Sequence, residues 1–159
     1  MTDTPVRKRP KSSLDLLYLS DGIATQGRDV FLFGARLGLG AIFLMSGWNK
    51  LFDLAKVAAS FPARGLPAEL GYVAPFVECF GGLFLIIGLA TRYSALVMLA
   101  FTVVATFSSH RYWTFTDPAV YAQQSSNFWK NSAIMGGMLA LFVSGGGRAS
   151  VDGILRRAR

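Results

Sequence analysis

Four apolar segments, residues 31–52, 72–90, 93–109 and 128–145, run through this chain, and each carries one ionisable side chain near an end: Lys50, Glu78, His110 and Lys130. As helices, segments of roughly 17 to 22 residues reach about 25 to 33 Å, close to the hydrocarbon thickness of a bilayer. If they cross in alternating directions, all four ionisable residues arrive at one face. Ionisable groups at membrane depth are costly and mark a site, a pathway or a necessary ion pair. A chain of 159 residues that is 52% hydrophobic and 16% charged is too apolar for an ordinary soluble domain of this length. The expected fold is all-α, an integral membrane four-helix bundle.

Basic residues set the expected orientation. Arg28, Arg36, Arg92, Arg148, Arg156, Arg157 and Arg159 fall on one side with Arg7, Lys8, Arg9 and Lys11. The other side is nearly balanced, with Lys50, Lys56, Arg64, Arg111 and Lys130 against Asp53, Glu69, Glu78 and Asp117. Both termini are therefore expected in the cytoplasm, and the net charge of +7 is explained by topology and by contact with anionic lipid heads. Nothing points to a nucleic-acid partner. This divides the chain into a basic cytoplasmic tail over 1–29, the membrane bundle over 30–147 and a second basic tail over 148–159. The first tail does not read as a cleaved signal, because only a short, acid-interrupted apolar run follows its basic cluster. Ser12 with Asp15 resembles a capping box, and Leu14, Leu17 and Tyr18 would share one face of a short interfacial helix; a disordered tail is the alternative.

Along the first segment Arg36, Gly40, Phe43, Gly47 and Lys50 recur at steps of four and three, which aligns them in one stripe. Glycines on such a stripe let a neighbouring backbone approach, so it should face the bundle interior. The second segment repeats the pattern with Pro75, Glu78, Gly81, Gly82, Leu85 and Gly88. Pro75 either opens that helix or interrupts one begun near Pro67. Glu78 then sits about a turn inside the outer end, where a carboxylate pairs with a cation or takes up a proton. The third segment reads as uniformly apolar from Leu96 to Phe107. A loop of about twenty residues rich in aromatics, including Trp113 and Trp129, is expected before the fourth, forming either an interfacial belt or a lid over an outer pocket. Beyond the glycine run 145–147, Asp152 is free to fold back toward Arg36 or Arg92.

Several chemistries are excluded by the residues available. One cysteine, Cys79, provides no disulfide relay, which rules out the thiol oxidases built on four helices; it reads as a small core residue. One histidine cannot build a bis-histidine haem site, and Cys79 with His110 makes a poor metal site. No metal or haem is indicated, and Gly145, Gly146 and Gly147 lack the context of a nucleotide loop.

Arg36 with Gly47 and Lys50, then Gly65, Glu78 with Gly81 and Gly82, Gly88 with Thr91 and Arg92, and finally Lys130, Asn131, Gly136, Gly137, Gly145 and Ser150 to Asp152 resemble the DoxX family over about 31–153. The resemblance implies a four-helix, multi-pass protein of the bacterial inner membrane, associated with quinol oxidase, thiosulfate:quinone oxidoreductase or oxidative-stress complexes. Three functions follow as expectations. In a quinone-associated redox subunit, Lys50, Glu78, His110, Lys130 and Asn131 form an outer polar pocket lined by Trp48, Trp113 and Trp129, with electrons supplied by a partner subunit. In a non-catalytic subunit that docks a larger membrane complex, Glu78 pairs with Lys50 or Lys130 and the glycine faces serve packing. The third is a small proton-coupled carrier using Glu78. Arg36 with Asp152 is a cytoplasmic structural pair in every case.

Overall fold

The computed structural model describes residues 18–159, so the interfacial helix read at Ser12 and Asp15 lies outside the described residues. Among those residues there are seven α-helices: α1 (Leu19–Gln26), α2 (Arg28–Leu51), α3 (Leu54–Ser60), α4 (Ala68–Ile87), α5 (Thr91–Ser109), α6 (Pro118–Ser144) and α7 (Val151–Arg157). Local signals fix their ends. Asp53 caps α3 by accepting the Lys56 N–H, and Asp117 caps α6 by accepting from Ala119 and Val120, with Pro118 at the first helical position. Gly88 closes α4 at φ +70, a left-handed conformation that glycine adopts without strain. Pro75 lies inside α4, which begins at Ala68 after Pro67.

Three helices, α2, α4 and the one beginning at Thr91, are long and apolar enough to cross a membrane. The fourth long helix, α6, has 27 residues. Its first half is polar, carrying Gln123, Gln124, Asn127, Lys130 and Asn131, and by composition it does not reach the same standard. The expected aromatic loop of twenty residues is shorter than that, because α6 starts ten residues before the apolar segment does. Many large apolar side chains face outward, among them Phe76, Phe80 and Phe84 on α4 and Val97 and Phe107 on α5. Such a surface matches lipid contact.

The four long helices meet at Phe43, Leu85, Ala95, Met98, Ile134, Met138 and Leu141. The stripe on α2 faces this interior, with Arg36, Gly40, Phe43 and Gly47 all buried. It packs backbone to backbone against α4. A Cβ on Gly47 would lie 2.6 Å from the Pro75 carbonyl oxygen, and one on Gly82 would lie 2.6 Å from the Gly40 carbonyl oxygen. Thus α2 and α4 form one close pair. The other is α5 with α6, where Thr102 and Thr106 are buried and Asn131 Nδ2 donates to Thr106 Oγ1 at 3.0 Å. The reading of α5 as uniformly apolar therefore misses a buried polar ladder at four-residue spacing.

At one end, here called the arginine end, the pairs are tied by hydrogen bonds to backbone. Arg36 donates to the carbonyls of Ile86 and Ala149, and Arg28 to that of Ser144 at 2.9 Å. The Asp152 carboxylate accepts the Ala90 and Thr91 N–H groups, both at 2.7 Å. Arg36 and Asp152 do not form an ion pair with each other, which corrects the expected structural pair. The reason is that the start of α5 offers two free amides, and a carboxylate satisfies both at once. Burial pushes the Asp152 carboxyl up, but the hydrogen bonds from Thr91 and Ala90 and the neighbouring Arg156 outweigh it and hold the group below its ordinary 3.8. A depressed folded value contributes stability that is complete above the unfolded value and lost as pH falls through the folded one. The melting temperature in detergent should therefore drop on acidification below about pH 4, and Asp152→Asn should flatten that drop while costing about 1–2 kcal/mol at neutral pH. An unchanged acid profile in Asp152→Asn would show that other carboxyls control it.

Candidate functional site

At the opposite end, α4 and α5 diverge around a cavity of roughly 670 Å³. The arm made by α3 and the short 3₁₀ turn Pro62–Arg64 covers one side of it. This arm seats on α4 at Gly71, where any larger residue would strike the Ala58 backbone. Its walls are apolar, with Phe61, Val73, Val77, Phe101 and Val104. Its polar side chains are Lys50, Glu78, Arg64, Ser108, Ser109, His110 and Gln124, with Ser60 on the arm.

The floor is an ion pair. Lys50 Nζ donates to both oxygens of Glu78, at 2.6 and 2.8 Å, and this is the one salt bridge among the described residues. Glu78 is buried while the Lys50 side chain remains 40% exposed, so the carboxylate depends on the lysine more than the reverse. Lys50 has a third N–H beyond the two it gives Glu78. Beside the pair, Cys79 is buried in the α2 contact, as expected of a small core residue.

The mouth is built by His110 and Gln124. His110 follows the last residue of α5, and its Nδ1 lies 2.8 Å from Gln124 Oε1 on α6. Because an amide oxygen only accepts, this pairing puts the proton on Nδ1 and leaves Nε2 as an acceptor that becomes a donor on protonation. Arg64 reaches across from the arm, donating to Ser109 Oγ at 3.3 Å with its guanidinium 5.6 Å from the Phe61 ring centroid.

Three of the expected pocket residues thus come together: Lys50, Glu78 and His110. Lys130 and Asn131 do not join them. Lys130 is exposed and donates to Asn127 Oδ1 at 3.0 Å, while Asn131 is engaged with Thr106 in the α5 contact. Glu78 pairs with Lys50 because α2 and α4 are the pair in backbone contact. The tryptophans do not line the cavity either. Trp48, Trp113 and Trp129 are 58%, 53% and 61% exposed. Trp113 and Trp129 join an edge-to-face cluster centred on Phe128, alongside Phe107 and Tyr112. The rings that do face the cavity are Phe61 and Phe101.

Sequence reasoning missed Arg64, Ser109 and Gln124 as site residues. Asp117 followed by Pro118 is a helix-start signature, and reading it would have placed Gln124 near His110 on a helix instead of in a loop. No sequence signal places Arg64 opposite Ser109. Among the described residues no group of histidine, cysteine and carboxylate side chains could hold a metal ion.

The DoxX family model matches residues 31–111, just over half of the chain. This chain belongs to the DoxX family. The matched DoxX stretch includes Arg36, Lys50, Glu78 and His110 but stops before Lys130, Asn131 and Asp152. Inner membrane protein YphA of Escherichia coli strain K12 is 30% identical over 139 residues, spanning 86% of this chain and 96% of that protein. Inner membrane protein YqjF of the same organism is 33% identical over 132 residues, spanning 81% and 95%. No solved structure matches. Like these DoxX-type relatives, the chain is a multi-pass protein of the bacterial inner membrane, and its outward apolar faces meet the bilayer.

Proposed function

We propose that the chain is a four-helix membrane bundle with both termini cytoplasmic, and that its periplasmic end holds the head of a quinone within a quinone-linked oxidoreductase or oxidative-stress membrane complex. The observation that carries this reading is the cavity between α4 and α5, which joins apolar walls to convergent donors and a proton-bearing pair. The arginines gathered at the other end support the orientation.

The residues present fit such a group. Phe61 and Phe101 offer faces for a flat ring, and the volume admits one with room for the start of a tail. Lys50 and Arg64 supply N–H donors for two ring oxygens. A quinone, when bound, supplies two-electron, two-proton redox chemistry. His110 accepts or donates a proton at Nε2 while Gln124 holds its ring in place. Glu78 holds Lys50 in place through two hydrogen bonds. The single histidine and single cysteine make no haem or iron–sulfur ligand set, so electrons pass to or from another subunit.

A second reading has its own support. The Lys50–Glu78 pair is bidentate and satisfied within the fold, as a purely structural pair would be. On that reading the chain is a non-catalytic docking subunit. One comparison separates the two: gentle purification of the full chain, followed by analysis of bound quinone for wild type, His110→Ala, Val77→Trp and Lys130→Ala. The quinone reading expects bound quinone in wild type and Lys130→Ala, and at least a tenfold loss in the other two with folding intact. Equal quinone in all four, or none in wild type with membrane partners retained, would leave the structural reading standing.

A further inference from the structure

The arginine end carries a second, smaller recess of roughly 250 Å³, lined by Ala90, Arg92, Tyr93, Asp152, Leu155, Arg156 and Arg159. Three arginines line it, from two separate stretches of chain, the start of α5 and the α7 end. Its one carboxylate, Asp152, is turned to the amides of Ala90 and Thr91, so its negative charge is satisfied within the fold. Among the described residues none of the three arginines forms a salt bridge. Next to this charge lie exposed apolar groups, Tyr93 at the start of α5 and Ile154 and Leu155 on α7. The recess therefore carries three arginines against one carboxylate, Asp152, which also faces Arg156, and sets this excess positive charge beside an apolar lip, at the level where a membrane-crossing helix begins.

We propose that this recess is a binding site for the phosphate of an anionic glycerophospholipid, held by Arg92, Arg156 and Arg159 with its acyl chains against Tyr93 and Leu155. A guanidinium is planar, permanently charged and matched to phosphate oxygens, which a zwitterionic lipid presents with a competing cation. The recess is unrelated to the cavity at the glutamate end, and it follows that a lipid here bridges α7 to the start of α5, the same joint that Asp152 closes from within.

The test uses the full chain in neutral detergent, titrated with phosphatidylglycerol, with phosphatidylcholine, and with inorganic phosphate, reading thermal midpoint and retained lipid by native mass spectrometry. Phosphatidylglycerol should raise the midpoint and remain bound through detergent exchange, while phosphatidylcholine does neither. At about fivefold in affinity for each basic residue near a membrane surface, Arg156→Gln should weaken the response several-fold and Arg92→Gln with Arg156→Gln more than tenfold. Arg111→Ala, at the other end, should titrate as wild type. The three arginines make no bond in the lock between α2, α4 and α7, so the variants should fold; the lipid-free midpoint checks this, and Arg156→Lys retains charge where a deficit appears. Equal response to both lipids, or a double variant that titrates as wild type, overturns the site. Protection by millimolar inorganic phosphate to the same extent overturns the lipid assignment in favour of a soluble phosphate.

Discussion

Lys50→Ala is expected to destabilise the protein by about 3 kcal/mol, because it leaves the Glu78 carboxylate buried without a counter-charge. The reverse change, Glu78→Gln, should cost less than half as much. Its amide oxygen still accepts from Lys50, and the lysine side chain is 40% exposed and can reach solvent or headgroups. Replacing both with apolar residues, Lys50→Met with Glu78→Leu, should recover much of the loss, since the desolvation of two charges is removed along with their attraction. A double-mutant cycle from unfolding in detergent isolates the coupling. Lys50→Ala within 0.5 kcal/mol of wild type would mean that the buried Glu78 side chain does not depend on Lys50. Such a result would also remove the reason to regard Lys50 as fixed for ligand contact.

The second large effect falls on the glycines. Gly82→Ala places a Cβ 2.6 Å from both the Gly40 carbonyl oxygen and the Leu44 amide nitrogen, and Gly47→Ala meets the Pro75 carbonyl at the same distance. Backbone cannot swing aside as a side chain can, so α2 and α4 must move apart over their whole crossing. Each variant should lose about 3 kcal/mol, at the upper end of overpacking costs. Gly136→Ala provides the control, because nothing lies within 4 Å of its added Cβ. It should be neutral or slightly stabilising through helix propensity alone. If all three variants melt together, the close crossing is not what holds this pair of helices.

These two predictions rest on features with different legibility in sequence. The glycine stripe on α2 could be read directly, since Arg36, Gly40, Phe43 and Gly47 are spaced to one face and all four are buried. Glu78 was locatable for the same reason. Its partner was not, because choosing between Lys50 and Lys130 depends on which helices touch, and helical phase within one segment carries no information about that. Asn131 illustrates the point: it sits one residue from an exposed lysine yet faces the other way, into the threonine ladder of α5. The tryptophans mislead through their chemistry. Large flat rings suit a ligand wall and an interfacial belt equally, and exposure assigns Trp48, Trp113 and Trp129 to the surface. Hydropathy alone sets the start of α6 too late, although Asp117 and Pro118 carry the capping signal. Arg64 belongs to an arm whose placement on α4 depends on the absent side chain of Gly71, a tertiary fact that no local pattern encodes.

The Asp152 cap has a consequence for biogenesis. The amides it satisfies open α5, but Thr91 leaves the ribosome 61 residues before Asp152 does. The third long helix must therefore enter the membrane with its leading amides still hydrated or bound to headgroups. Only when α7 has been synthesised can that end be sealed by protein. Until then α5 is held by its internal hydrogen bonds and its packing, and a ribosome pausing before residue 152 would leave an intermediate whose open amides are those of Ala90 and Thr91.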